Sequence, residues 1–212
     1  MHPAFGLPLA YAAGSFPSAY LAGRLLKGVD LRTIGSGNLG ATNVYRNLGA
    51  GAALVVLTLD AAKGALAVRY LPVLLRTGEA GADAALWWAL AYALAAIVGH
   101  VKPLFLLWKG GGKGVATAAG AFAVLVPGAV ASTAVICAAA VWYSGYMSVG
   151  SVVAAVVFPL FVWLDRGASP LFWTSLAVGA FICWAHRTNY QRLREGREHR
   201  LFRKKDAKGG VP

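Results

Sequence analysis

The sequence predicts an all-α integral membrane protein, and three observations carry that prediction. Of its 212 residues, 58% are hydrophobic and 13% charged, about half the charged share of an ordinary soluble domain. Mean hydropathy is +0.60. The apolar residues fall in long runs, several of membrane-spanning length, and the charges cluster between the runs. The formal net charge is +12. On a soluble chain that would suggest nucleic acid. Here the cations sit at the ends of apolar runs, which points to anionic lipid headgroups and small anionic substrates instead, and not to nucleic acid.

Each run can be justified in order. Residues 3–26 form the first. Pro8, Gly14 and Pro17 interrupt it, as membrane helices allow when neighbours satisfy the freed backbone groups. Residues 27–46 are a polar, glycine-rich loop with Lys27, Arg32 and Arg46. Residues 50–75 form the second run and hold Asp60 and Lys63, three apart and therefore on one helical face. A centrally placed charge costs about 2.5–3.5 kcal/mol on insertion scales, so these two are expected to pair and to support a site rather than catalyse. A short polar loop leads to a third run over 84–100. Lys102, Pro103 and a glycine-lysine loop follow. Apolar sequence resumes over 115–143, divided by Pro127-Gly128, then over 149–164 and 171–185. A basic tail starts at His186 and is expected to fray after about Arg203. Trp87, Trp88, Trp108, Trp142 and Tyr143 read as interface anchors. Cys137 and Cys183 lie in apolar runs without metal-ligand spacing and read as packing residues. The first run is long enough to remain as a span and lacks the basic start of a cleavable signal.

Topology follows from parity. The loops carrying Lys27–Arg46 and Lys102–Lys113, and the tail, are all basic, so all three are expected on the cytoplasmic side. One crossing by residues 115–143 would leave the tail outside. A turn at Pro127-Gly128 makes seven helices, with the N-terminus outside and the C-terminus cytoplasmic. If the short pair is re-entrant, five spans remain and the basic loops still share a face. The expected architecture is a seven-helix (alternatively five-helix) bundle, residues 1–198 as one domain and 199–212 as a basic tail.

Three polar stretches converge on that inner face. The first, Gly35-Ser36-Gly37-Asn38-Leu39-Gly40-Ala41-Thr42-Asn43-Val44-Tyr45-Arg46, offers hydroxyls, amides and an arginine suited to phosphate oxygens. The second joins Gly99-His100 to Lys109-Gly110-Gly111-Gly112-Lys113-Gly114-Val115-Ala116-Thr117. Glycines let backbone N–H groups approach an anion, and lysines add charge. It is not a Walker A loop, because Gly112-Lys113 is followed by Gly114 and the required first glycine falls on Leu107. The third runs from His186 through Asn189 and Arg192 to Glu198. If helical, it puts His186 and Asn189 on one face.

These three stretches, in this order, resemble the PlsY family of membrane glycerol-3-phosphate acyltransferases. The matching motifs are Gly-Ser-Gly-Asn-x-Gly-Ala-Thr-Asn at 35–43, Gly-His-x-x-Pro-x-Phe leading to Gly-Gly-Lys-Gly-Val-Ala-Thr at 99–117, and His-Arg-x-Asn-x-x-Arg-Leu at 186–193, ending near Glu198. Three glycines stand between Lys109 and Lys113, where the family has two. Gly-Val-Ala-Thr follows Lys113 in register, which favours that lysine for the phosphate-binding place. The resemblance implies that the C1 hydroxyl of glycerol 3-phosphate attacks an acyl phosphate, giving lysophosphatidic acid and inorganic phosphate, with neither metal nor cofactor. It implies a multi-pass protein of a bacterial inner membrane, its site facing the cytoplasm, able to work as a monomer. Ser36, His186 and Asn189 are then expected to position substrate. Asn38, Thr42, Asn43, Arg46, the lysine loop, Thr117 and Ser148 would bind phosphate, and His100, Arg192 and Glu198 would support the site.

Two bases are available for the hydroxyl proton, His186 and the donor's own phosphate, whose second pKa is about 6. The family is commonly read as substrate-assisted, leaving His186 to orient. The His–Asp pair of soluble-type acyltransferases is absent: five positions past His2, His100, His186 and His199 stand Leu7, Phe105, Gln191 and Lys204. Two rivals remain. A small transporter of a phosphate-bearing solute would also use broken helices and a basic vestibule. A metal-dependent phospholipid synthase would need a carboxylate cluster, and the acidic residues show none.

Overall fold

The structure, a computed structural model, describes residues 2–201. The described residues form ten α-helices, three short 3-10 turns and no strand. The first apolar run is two helices, α1 (Gly6–Gly14) and α2 (Ser18–Lys27), rather than one. Pro17 has no N–H to continue the ladder. At the break the Phe16 carbonyl accepts from Ser18 N–H at 3.0 Å and from Lys63 Nζ at 3.2 Å. α2 stops at Gly28, whose φ of 68° suits a residue without Cβ.

The first polar loop contains a short amphipathic helix, α3 (Ala41–Leu48), with Ala41, Val44, Tyr45 and Leu48 on one face. It buries Val44 against Leu31, Leu39 and Val56. α4 (Ala50–Leu74) and α5 (Ala82–Val101) match the second and third runs. Val126 breaks the next run into α6 (Val115–Leu125) and α7 (Pro127–Ser144), with Pro127 at the first position of α7. α8 (Met147–Arg166), α9 (Pro170–Ala185) and α10 (Arg187–Arg194) complete the chain.

α4, α5, α7 and α8 are each long and apolar enough to cross a membrane. α6, with 11 residues, is only about 16 Å long. It packs closely on α4 because Gly64 and Gly120 have no side chains: a Cβ on Gly64 would strike the Thr117 carbonyl, and one on Gly120 the Ala61 carbonyl. α1 runs parallel to α5. Tyr92 Oη donates to the Pro3 carbonyl and Tyr11 Oη to the Lys102 carbonyl, both at 2.7 Å, so the two chains ascend together. The main apolar core joins α5, α6, α8 and α9 through Leu90, Phe122, Val162, Val178 and Ile182. Trp88 is not only an anchor; it stacks on Tyr92 with centroids 6.0 Å apart.

Around the expected boundary after residue 198, residues 199–201 make contacts with the rest of the chain. The His199 carbonyl accepts from Arg46 Nη2 at 2.7 Å, and Leu201 N–H donates to the Gly145 carbonyl at 2.7 Å. Residues 199–201 therefore belong to the folded body. The expectations for the rest of the tail, fraying included, lie outside the described residues.

Candidate active site

A cavity of about 860 Å³ opens among the three polar stretches and continues between α4, α6, α7, α8 and α9. Its mouth is polar: Ser36, Asn38, Thr42, Arg46, Lys113, Ser148, His186, Asn189, Arg192 and Glu198 line it. Its depth is apolar, with Leu57, Phe122, Val130, Phe158 and Val178 on the walls. A charged head and a hydrocarbon tail could occupy the two parts together.

The mouth is built around Glu198. Its Oε1 accepts from Asn189 Nδ2 at 2.7 Å and from Ser148 Oγ at 3.1 Å. Its Oε2 lies 3.2 Å from Arg192 Nε. That N–H is not aimed at the carboxylate, so Arg192 Nε is buried without a hydrogen bond, as is Arg46 Nε. Lys113 Nζ donates to Asn189 Oδ1. Lys113, Arg46 and Arg192 thus surround one carboxylate, leaving two positive charges over. That excess charge and the two orphaned guanidinium N–H groups are chemically matched to a dianionic oxyanion.

Electrostatics sharpen this picture. Burial, then the Arg192 charge, lower Lys113 to about 8, against a smaller pull from Glu198. Burial also lowers the Arg46 guanidinium. Burial, then the Lys113 charge, lower His186 to about 4. His186 is therefore neutral at pH 7. Its Nδ1 lies 2.8 Å from the Ile182 carbonyl, which can only accept, so the proton is on Nδ1 and Nε2 carries the free lone pair.

Several sequence expectations need correction. Asn43 lies at the mouth but has nothing left for a ligand. Its Oδ1 accepts from Ser36 N at 3.0 Å and from Asn47 Nδ2 at 3.1 Å. Its Nδ2 donates to the Leu31 carbonyl at 3.0 Å and the Ile34 carbonyl at 3.2 Å. It folds the loop that presents Ser36. Asn38 divides its work, lining the cavity and donating to the Gly111 carbonyl at 3.2 Å. Lys109 is exposed and off the cavity wall, with its carbonyl held by Arg32 Nη1 at 3.0 Å.

Gly110, Gly111, Gly112 and Gly114 do not line the cavity either. Gly112 N–H donates to the His100 carbonyl at 3.2 Å. A Cβ at Gly112 would strike the His100 ring, and one at Gly111 the Val101 carbonyl. These glycines let the loop lie flat on the end of α5 and so aim Lys113; they are not an open anion nest. Thr117 is fully buried with Oγ1 unpaired and does not reach the cavity.

The expected Asp60–Lys63 pair is present at 2.9 Å. Asp60 also accepts from Ser18 Oγ at 2.5 Å, and His100 Nδ1 lies 3.6 Å from it. Asp60 and His100 face the cavity and Lys63 does not. The sequence reading missed Arg32 and Asp30. Arg32 donates to Asp30 at 2.7 Å and ties the first loop to the second through Lys109. Their spacing two apart in a basic loop was the available signal.

Gly112→Ala is expected to drive the loop off His100, lowering kcat/KM at least about tenfold, as small misplacements of a binding group do. Adding His100→Ala should recover part of the loss, and steady-state kinetics of both variants check this.

Comparison with known proteins agrees with the geometry. Residues 4–196 match the family model described as glycerol-3-phosphate acyltransferase. The chain belongs to that family. The glycerol-3-phosphate acyltransferase of Synechococcus sp. (strain CC9902) is 43% identical over 198 residues, covering 93% of this chain and 94% of the relative. That of Anaeromyxobacter dehalogenans (strain 2CP-C) is 44% identical over 193 residues, covering 90% and 93%. Among solved structures, PlsY, an integral membrane glycerol 3-phosphate acyltransferase, superposes in its glycerol 3-phosphate form with a TM-score of 0.83 at 34% identity, covering 93% of this chain and 94% of that one. Its lysophosphatidic acid form gives 0.80 at 33%. This chain and that solved acyltransferase thus share the all-helical membrane fold over nearly their whole length.

Proposed function

We propose that this acyltransferase joins an acyl chain from acyl phosphate to the C1 hydroxyl of glycerol 3-phosphate. The observation that carries the reading is the mouth: three cations around one carboxylate, with two orphaned guanidinium N–H groups, at the entrance of an apolar slot. Both substrates bear phosphate and one bears a hydrocarbon chain. Lys113, Arg46 and Arg192 hold phosphate, assisted by Ser36 and Thr42 hydroxyls. Asn189 is aligned by Glu198 and Lys113, and with His186 Nε2 orients the glycerol hydroxyl.

The hydroxyl oxygen forms the new ester bond at the acyl carbon, and the carbon–oxygen bond to phosphate breaks. The released phosphate carries away the bridging oxygen and, in the substrate-assisted course, the hydroxyl proton. A histidine held near 4 is a poor base at neutral pH, which favours phosphate in that role. A mixed anhydride is already activated, so the reaction asks the protein mainly for position and charge.

Parallel α1 and α5 support equal crossing senses for the first and third runs. With the basic loops on one face, the favoured arrangement has the N-terminus outside and the site on the cytoplasmic side of a bacterial inner membrane. One chain holds every group named, so a monomer suffices.

The decisive assay gives purified protein in lipid palmitoyl phosphate or palmitoyl-CoA with labelled glycerol 3-phosphate. Lysophosphatidic acid with the first donor only is the expected result. Product from the thioester alone would overturn the donor. Accumulation of glycerol 3-phosphate in sealed vesicles without product would favour transport.

The pH profile follows from Lys113. A lowered lysine is charged below about 8 and neutral above, so attraction for phosphate weakens as pH rises through that value. Above it, kcat/KM is expected to fall about tenfold per unit. Lys113→Arg should move that limb upward, since guanidinium stays charged.

A further inference from the structure

The apolar part of the cavity ends at a definite place. Its innermost walls are Phe122 on α6, Val130 on α7, Phe158 on α8 and Val178 on α9. Beyond them, Val126 at the α6–α7 break and Val162 on α8 are 1% and 0% exposed and belong to the closed core with Leu90 and Leu171. They do not touch the cavity. Between open slot and closed core stand Phe122 and Phe158, edge to face, with centroids 5.0 Å apart and planes at 69°. Phe122 is 1% exposed and so cannot swing into lipid without leaving the core.

We propose that the Phe122–Phe158 pair is the floor of the acyl slot and sets the length of acyl chain this enzyme prefers. The proposal rests on the acyltransferase reading and adds to it which residues measure the chain. Along α8, the path from Met147 at the mouth to Phe158 is eleven residues, about 16 Å at the helical rise. A chain whose carbonyl sits at the phosphate cluster runs down that length and meets two aromatic faces. Each methylene buried adds favourably until the floor is reached; the next one must displace a packed ring or bend back, and overpacking is unfavourable. A soft aliphatic floor would give a broad preference, whereas an aromatic pair anchored through the buried Phe122, with half-buried Phe158 packed on it, gives a sharper upper limit. Ala154, one turn closer to the mouth on α8, also lines the slot. A larger side chain there would raise the floor.

The test is a competition among lauroyl, myristoyl, palmitoyl and stearoyl phosphates in one reaction, with lysophosphatidic acid species resolved by mass spectrometry. The same ladder is run with acyl-CoA thioesters, so the length profile is read whichever donor works, and a failed donor assignment is seen separately. Phe158→Ala is expected to raise the ratio of the first disfavoured longer product to the preferred one roughly tenfold, the worth of two more buried methylenes. Ala154→Leu is expected to shift the profile toward shorter chains. The KM for glycerol 3-phosphate should change in neither, which separates a measured length from general damage. Phe158→Leu serves if the alanine variant does not fold. Product profiles that match wild type in the Phe158 and Ala154 variants would overturn the proposal, because they would mean that the chain leaves sideways into lipid before reaching the pair.

Discussion

Lys113→Ala is expected to lower kcat/KM for glycerol 3-phosphate acylation about a hundredfold to a thousandfold, the range for removing one preorganised donor from a low-dielectric site. Lys109→Ala is expected to stay within about twofold, as exposed substitutions away from a site do. The contrast tests the geometry directly. Lys113 is on the cavity wall, bonded to Asn189 and close to Arg46, Arg192 and Glu198. Lys109 is exposed and offers only its carbonyl to Arg32. Lys113→Ala also leaves Asn189 Oδ1 without its donor, so the loss should appear in kcat as well as KM. Equal losses at the two lysines in steady-state assays would mean that the glycine loop closes differently around substrate.

Asp60→Asn is expected to cost roughly 3–5 kcal/mol of stability, because it strands a buried cation. Lys63 is 7% exposed on a membrane-embedded helix, and its other contact is the Phe16 carbonyl at 3.2 Å. The Asp60 side chain also orders Ser18 at the α1–α2 break and faces His100. The cost should show as a lowered unfolding temperature in detergent. Asp60→Asn with Lys63→Met should regain most of it, since a neutral pair leaves no stranded charge. If the single variant were as stable as wild type, water would have to reach Lys63, contrary to its burial.

Much of this molecule was legible before its structure. Long apolar runs located α4, α5, α8 and α9, and Pro127-Gly128 located the break between α6 and α7. Glycine, amide and basic residues in three stretches located the mouth of the cavity, and Lys113 was distinguished from Lys109 by register. What stayed hidden has a physical reason in each case. α3 carries Ala41, Val44, Tyr45 and Leu48 at helical spacing, but it is only eight residues long and sits inside a polar, glycine-rich loop, too short a window for that period to stand out. Asn43 has the same chemistry whether it binds a ligand or a loop; only the positions of Leu31, Ile34, Ser36 and Asn47 decide. The glycines of the lysine loop looked like an open nest because their crowding against His100 and Val101 is a long-range fact. Phe122 and Phe158 could not be told from other apolar residues, since one-dimensional hydropathy carries no depth.

Glu198, the only carboxylate among the described residues at the mouth, lies far along the chain from Ser36 and Arg46. During synthesis the first basic loop and Lys113 are in place long before their counter-charge is made. Closing such a distant contact is slow in folding terms. The mouth therefore gains its charge balance only when α10 and residues 195–201 pack over it, so the first basic loop and Lys113 depend on the most distant part of the fold for their counter-charge.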